Sequence, residues 1–313
     1  MRKQLIIGTR KSPLALWQSN FVKATLEARY PECEISLKHV ITTGDKTQDS
    51  SAAIPLIGGK GLFTAELEEC LVRGEIDIAV HSLKDLPTEL PTHFTVGAIP
   101  QRSYVEDALI SRCGRTLAEL PAGAVVGTSS VRRSSQIVHA RPDLKIAHIR
   151  GNVDTRLKKL HAEGGVYDAI LLAQAGLDRL GIADRITEVL PLSVMVPAPG
   201  QGALGIECRS GDAEVLAILA SLHHEPTARA VTAERAFLKA LGAGCNTPVA
   251  AYAVNEARAD GDYVVLTGRC LSPDGSRIIE LMGEDRAGAE EALGMRLAHE
   301  ALERGFSHIC AAQ

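Results

Sequence analysis

The residues best suited to chemistry stand in the run Asp77-Ile78-Ala79-Val80-His81-Ser82-Leu83-Lys84-Asp85-Leu86-Pro87. Ser82, Lys84 and Asp85 set a hydroxyl, an ammonium and a carboxylate side by side, a combination that handles a proton and an anion together. Three other stretches carry related groups. Thr9-Arg10-Lys11-Ser12-Pro13 offers Arg10 and Ser12. Thr128-Ser129-Ser130-Val131-Arg132-Arg133 offers three hydroxyls and then two guanidiniums. Arg150-Gly151-Asn152-Val153-Asp154-Thr155-Arg156 offers Arg150, Asn152 and Arg156. Arginine holds carboxylates bidentately. Any one of these stretches alone reads as a solvated face. Four of them in a chain of net charge −4 imply a local cationic cleft that binds a polyanionic small molecule.

The elements that must position these groups follow from the apolar runs before them. Gln4 to Thr9, Ile76 to Val80, Gly123 to Gly127 and Lys145 to Ile149 are short, largely β-branched runs that read as buried strands. A helix pattern follows the first, third and fourth, with Ser12 as a cap and Pro13 in the first turn of its helix. Helix N-termini attract anions, and open α/β sheets bind ligands at strand C-terminal ends. Strand and helix alternate from residue 4 to about 225, which predicts an α/β class with mostly parallel, doubly wound sheets. Pro100-Gln101-Arg102-Ser103-Tyr104 and Val196-Pro197-Ala198-Pro199-Gly200-Gln201-Gly202 read as connectors. They suggest a first domain over 1–100 plus 201–222, a second over 105–196 and a third over 226–313. The strand Ala203 to Cys208 would return to the first sheet, making that domain discontinuous. The third region reads as a helix over 227–241, antiparallel strands at 248–254, 262–271 and 276–283, and a last helix over 287–304. Thr43 to Lys60 lacks periodicity, is rich in turn residues, and reads as a mobile lid.

Composition narrows the class. The chain has 313 residues, enough for two or three domains with proper cores. Hydrophobic residues make up 45% and aromatic residues only 4%, so base-stacking platforms are not expected. No basic run points to nucleic acid. No signal-peptide core or long apolar span is visible, so no membrane association and a cytoplasmic location are expected. The seven cysteines are scattered with no CxxC pair, and the histidines lack ligand spacing, so neither zinc nor a disulfide framework is expected. Six cysteines sit in apolar or helical contexts, where burial is the default. Cys245 differs. It lies in Gly242-Ala243-Gly244-Cys245-Asn246-Thr247-Pro248, a tight loop where small residues let a bulky group approach the backbone.

Together these motifs resemble the porphobilinogen deaminase (hydroxymethylbilane synthase) family along nearly the whole chain. The resemblance runs through GTRKSPLALWQ at 8–18, GGKGLF at 58–63, AVHSLKDLP at 79–87 and GTSSVRR at 127–133. It continues through RGNVDTRLKKL at 150–160, GQGALGIE at 200–207 and ERAFLKALGAGC at 234–245. It implies three domains, the first two similar to two-lobed periplasmic anion-binding proteins. It also implies a transferase of tetrapyrrole (heme) biosynthesis that joins four porphobilinogen units head to tail and releases four ammonia. The growing chain is held on a covalent dipyrromethane cofactor. The resemblance places that cofactor's thioether on Cys245 and the catalytic carboxylate at Asp85. Ammonia loss leaves an electron-poor azafulvene, which a carboxylate stabilises electrostatically. Arg10, Ser12, Lys84, Ser130, Arg132, Arg133, Arg150 and Arg156 match the family's cofactor- and substrate-binding positions. Ser82, Thr128, Ser129 and Asn152 lie in the same motifs, and Lys60 is a further carboxylate contact at the end of the lid. The resemblance also implies a monomer whose product passes to uroporphyrinogen-III synthase.

The chain departs from the family pattern in two places. Arg102-Ser103-Tyr104-Val105-Glu106-Asp107-Ala108 replaces an Arg-Glu-Asp-Pro-(Arg/His)-Asp-Ala run, which puts hinge contacts in doubt. Gly-Ala-Gly-Cys-Asn-Thr-Pro replaces Glu-Gly-Gly-Cys-Gln-Val-Pro around Cys245, which bears on loop stiffness. The competing reading is a two-lobed anion-binding protein or an inactive deaminase homologue. A receptor would lack Cys245 and carry an export signal. A colour reaction with Ehrlich's reagent separates the two, because only a bound dipyrromethane reacts.

Overall fold

The computed structural model describes residues 2–42, 64–244 and 246–311. Cys245, Lys60 and the expected lid over 43–60 lie outside the described residues. The first elements in chain order are β1 (Gln4–Thr9), α1 (Pro13–Arg29), β2 (Glu34–His39), α2 (Ala65–Val72), β3 (Ile78–Ser82) and β4 (Phe94–Ala98). Then come β5 (Asp107–Ser111), β6 (Val125–Gly127), α3 (Val131–Ala140), β7 (Lys145–Ala147), α4 (Val153–His161), β8 (Ala169–Ala173), α5 (Gln174–Arg179) and β9 (Glu188–Val189). The rest are β10 (Leu204–Arg209), α6 (Ala213–Ala220), α7 (Glu225–Ala240), β11 (Val249–Arg258), β12 (Gly261–Leu271), β13 (Ile278–Arg286), α8 (Glu290–Glu303) and α9 (Phe306–Ala311). They form two compact units, Met1–Arg102 with Ala203–Ala228, and Ser103–Gly202 with Arg229–Gln313.

The first unit is built on a sheet of order β2-β1-β3-β10-β4. β1 pairs in parallel with β2 and β3, whereas β10 is antiparallel to β3 and β4. Alternate side chains go to opposite faces of a strand. Leu5, Ile7, Val80 and Ile206 pack with Val22 and Leu26 of α1 on one face, and Ala79 and Phe94 pack with Leu67 and Leu71 of α2 on the other. Gly8 lets α2 approach, because a Cβ there would lie 2.9 Å from Leu67 Cδ2. Where β1 and β3 begin, Arg2 and Arg209 each pair with Asp77 and Asp212, and Asp77 also accepts from Ile6 N at 2.8 Å.

The second unit holds a sheet of order β7-β6-β8-β5-β9. β6 is parallel to β7 and β8, and β5 is antiparallel to β8 and β9. Both sheets are thus mostly parallel, as the alternation of strand and helix predicts. Each sheet contains one reversed strand, β10 in the first and β5 in the second. Each of these follows a connector rather than a crossover helix, so nothing forces it parallel to its neighbours. The same unit carries an antiparallel sheet of order β11-β12-β13 under α7, α8 and α9. The Phe237 ring fills the space that a Cβ on Gly268 would take, at 2.7 Å. This small sheet is fixed to α3 through His139 Nδ1 and Gly275 O at 2.9 Å, and through Arg269 Nη1 and Gln136 Oε1 at 3.0 Å.

The second connector closes on the first at Gly202, whose φ is +83°. A Cβ there would stand 2.3 Å from Tyr104 O, and Ser103 N already donates to Gly202 O at 3.2 Å. Gly74 has a similar φ of +67° but open space around it. Gly74→Ala should therefore cost only the left-handed strain, about 1 kcal/mol. Gly202→Ala adds a backbone collision and should cost roughly 3 kcal/mol or more. Urea unfolding midpoints of the two variants measure the difference, and equal shifts would show that the connectors have room to part.

Candidate functional site

In the first unit the Ser82-Leu83-Lys84-Asp85 motif leaves β3 as a single 3-10 turn, Leu83–Asp85. Leu83 N donates to Ala203 O at 3.0 Å, and Leu86 N donates back to Leu83 O at 3.2 Å. Leu83 is 0% exposed and Leu86 4%, both packed where Gly205 of β10 leaves space. Burial of the two leucines turns the polar residues between them outward. Lys84 is half-buried and Asp85 is exposed, and no donor among the described residues reaches the Asp85 carboxylate. Ser82 Oγ accepts from Nε2 of the buried Gln18 at 2.8 Å, which leaves its own proton to donate. At the end of β1, Ser12 caps α1 by accepting from Ala15 N, Pro13 sits in the first turn, and Arg10 is half-buried. Beneath the Asp85 turn, His81 Nε2 lies 3.0 Å from Glu207 Oε2, both residues buried.

In the second unit the predicted residues gather at the ends of β6 and β7. Thr128 is buried, and its Oγ1 accepts from Ser130 N at 3.2 Å. Ser129 Oγ donates to Ile149 O at 2.8 Å, tying the two strand ends together. Ser130 caps α3 by accepting from Arg133 N at 3.4 Å, so its hydroxyl proton remains for a ligand. Asn152 caps α4 by accepting from Thr155 N at 2.9 Å. Arg156 Nε donates to Gly151 O at 2.8 Å, and Arg150 is exposed. Gly151 is required by its φ of +114° and by Thr155, which a Cβ would meet at 2.6 Å.

Arg132 and Arg133 lie where the motif places them, at the start of α3, but they turn inward. They are 5% and 7% exposed. Both pair with Asp107, which is 0% exposed, at 2.7 Å each. Gln201 Nε2 also donates to Asp107 Oδ1 at 3.1 Å, and Arg132 Nη1 donates to Val196 O at 2.8 Å. Burial alone would raise the Asp107 carboxyl, but the two guanidiniums outweigh it and hold it well below the usual carboxylate range. Sequence reasoning missed Asp107, Gln201 and Gln18. The signal for Asp107 was an acid at the head of the apolar strand Ala108-Leu109-Ile110, which needs a buried counter-charge.

The cysteine expectation also changes. Cys33, Cys70, Cys208 and Cys270 are buried, and burial pushes the Cys208 thiol up to about 11. Cys113 is exposed instead, because it falls in the turn after β5. Among the described residues no His, Cys, Asp or Glu cluster is placed to hold a metal ion, and no helix is long and apolar enough to cross a membrane. The donors at these strand ends are hydroxyls, guanidiniums and helix N-termini, a set that suits carboxylates.

A family model described as porphobilinogen deaminase, dipyromethane cofactor binding domain, matches residues 5–217. A second, described as porphobilinogen deaminase, C-terminal domain, matches residues 228–303. The chain is 45% identical over 309 residues to the porphobilinogen deaminase of Pelotomaculum thermopropionicum, covering 99% of this chain and 96% of the relative. It is 48% identical over 311 residues to that of Desulforudis audaxviator, covering 99% and 98%. Among solved structures it is similar to the periplasmic aliphatic sulphonate binding protein of Escherichia coli, with 15% identity, a TM-score of 0.40, and coverage of 97% and 88%. That likeness is too distant to bear on function.

The Asp107 geometry sets a pH dependence. A carboxyl lowered on folding contributes stability above its unfolded value, about 4, and loses it as pH falls toward the folded value. Asp107→Asn breaks a buried ion pair and should cost about 3–5 kcal/mol at pH 7. The gap to the parent chain should narrow as pH falls below about 4. Chemical denaturation from pH 3 to 7 measures it, and a constant gap would show that folding does not lower the Asp107 carboxyl.

Proposed function

This chain belongs to the porphobilinogen deaminase family, and on that premise we propose which of its residues carry the reaction. It is a transferase of tetrapyrrole biosynthesis that condenses porphobilinogen into a linear tetrapyrrole on a dipyrromethane cofactor. Each round breaks the carbon–nitrogen bond of one aminomethyl group and forms a carbon–carbon bond to the free α-carbon of the acceptor. The proton lost from that carbon balances the one that leaves with ammonia as ammonium. When bound, the dipyrromethane supplies the first such α-carbon.

Asp85 is the catalytic carboxylate of this reading. What carries the assignment is its exposure, with no donor to it among the described residues, on a turn whose flanking leucines are buried. A carboxylate held out in this way is free to accept pyrrole N–H bonds and to oppose the positive charge that develops as ammonia departs. It also moves the proton between α-carbon and leaving amine. Ser82 offers a hydroxyl proton from the same turn, and Lys84 an ammonium. Arg10, Ser12, Lys60, Thr128, Ser129, Ser130, Arg132, Arg133, Arg150, Asn152 and Arg156 hold acetate and propionate groups or shape the turns that do. Cys245 holds the cofactor through its sulfur. The burial of four of the other cysteines supports that choice. The same reading extends to three domains, over 1–100 with 201–222, 105–196 and 226–313. It also extends to a cytoplasmic monomer and to delivery of the product to uroporphyrinogen-III synthase.

Two measurements test these roles. Intact-protein mass should exceed the chain by two deaminated porphobilinogen units, and peptide mapping should place them on 241–248. Adduct on another cysteine overturns the Cys245 role. Asp85→Asn removes the charge and keeps the shape. Single-turnover ammonia release by the folded, cofactor-loaded variant should fall about 10²–10³-fold. Asp85→Glu should retain more activity than Asn. An Asn variant within a few-fold of the parent would move the central charge to another residue.

A further inference from the structure

The two neighbouring arginines of α3 are not equivalent. Arg133 gives Nε and Nη2 to Asp107 Oδ1, at 3.0 and 2.7 Å, and Nη1 to Leu171 O at 3.2 Å. All three of its nitrogens are bound into the protein. Arg132 uses Nη1 alone, on Asp107 Oδ2 at 2.7 Å and Val196 O at 2.8 Å. Its Nε and Nη2 have no partner among the described residues, yet they are not among the polar atoms sealed from solvent without one. A guanidinium that is 5% exposed, with three N–H groups unspent, is a built donor rather than a solvated face.

We propose that Asp107 is a positioning residue for the binding of ligand carboxylates. It fixes Arg133 as part of the frame and anchors Arg132 by one nitrogen, so that the Nε and Nη2 side of Arg132 is presented to a carboxylate in bidentate geometry. Gln201 in turn fixes Asp107, with Nε2 donating to Asp107 Oδ1 at 3.1 Å and to Val105 O at 2.7 Å. Two guanidiniums against one carboxylate leave a net positive charge, which an arriving anion neutralises. The division of labour rests on the functional reading above, in which this strand end takes cofactor carboxylates. It makes Arg132 the binding residue of the pair and Arg133 the support.

The test reads arginine Nε–H exchange by nitrogen-15 NMR, alongside adduct mass on Cys245. In chain produced without porphobilinogen, the Arg133 Nε–H should exchange slowly and the Arg132 Nε–H quickly. Loading with porphobilinogen should slow Arg132 and leave Arg133 unchanged. Asp107→Asn should release Arg133 to fast exchange and lower adduct retention at least tenfold. Asp107→Glu keeps the charge but displaces it by one methylene, so it separates positioning from neutralisation. It should stay folded with adduct reduced severalfold, and it stands in if the Asn variant does not fold. Equal protection of both arginines in the adduct-free chain would overturn the proposal. So would an Asp107→Glu variant with full adduct and unchanged exchange. Parent chain that takes up no adduct would sink the functional reading, while the contrast in exchange would still decide how Asp107 holds the pair.

Discussion

A carboxylate with no exposure to water stays charged only if donors replace the water, and Asp107 meets that condition with groups from several segments. It stands at the start of β5 and draws Arg132 and Arg133 from α3 and Gln201 from the second connector. The same arginines reach Val196 O, in that connector, and Leu171 O in β8. One ionised group therefore fixes the start of a strand, the first turn of the helix that follows β6, and a connector. Removing it would leave two guanidiniums buried against each other. A hydrophobic core alone could not set these directions, because apolar packing is not directional.

The two five-stranded sheets repeat one topology. β1, β2, β3, β10 and β4 of the first occupy the places that β6, β7, β8, β5 and β9 occupy in the second. The reversed strand of each follows one of the connectors. Equivalent strand ends then carry equivalent tasks. After β1 comes a capping serine, Ser12, with Arg10 before it, and after β6 comes a capping serine, Ser130, with two arginines behind it. The shared topology supplies helix N-termini at the carboxyl ends of strands, and the sequence decorates them with hydroxyls and guanidiniums.

Much of this arrangement was legible in the chain. The strand over Gln4–Thr9, the Ser12 cap with Pro13, the turn after β3 and the antiparallel third region all follow from local pattern. What could not be read depends on partners far along the chain. β10 and β5 are reversed because of where their connectors deliver them, and alternation of apolar residues carries no direction. Arg132 and Arg133 read as ligand-facing because nothing nearby in sequence neutralises them. Their counter-charge, Asp107, lies 25 and 26 residues earlier in the chain. Cys113 read as buried because its neighbours on one side are apolar, yet the strand ends at Ser111 and the turn carries it outside.

Asp85 and Asp107 show how one residue type serves opposite ends. Asp107 is buried, accepts from three side chains, and its charge is consumed by the fold. Asp85 is exposed, accepts from no described residue, and its charge is left over. The difference comes from the residues beside them. Asp107 precedes an apolar strand that takes it inside, whereas Asp85 sits between leucines whose own burial pushes it out. A carboxylate already satisfied by arginine has little to gain from a developing cation, which is why the proposed reading gives that role to Asp85 and not to Asp107. On the proposed reading the catalytic charge is the one that no described residue satisfies, so that the reacting centre supplies the missing interaction.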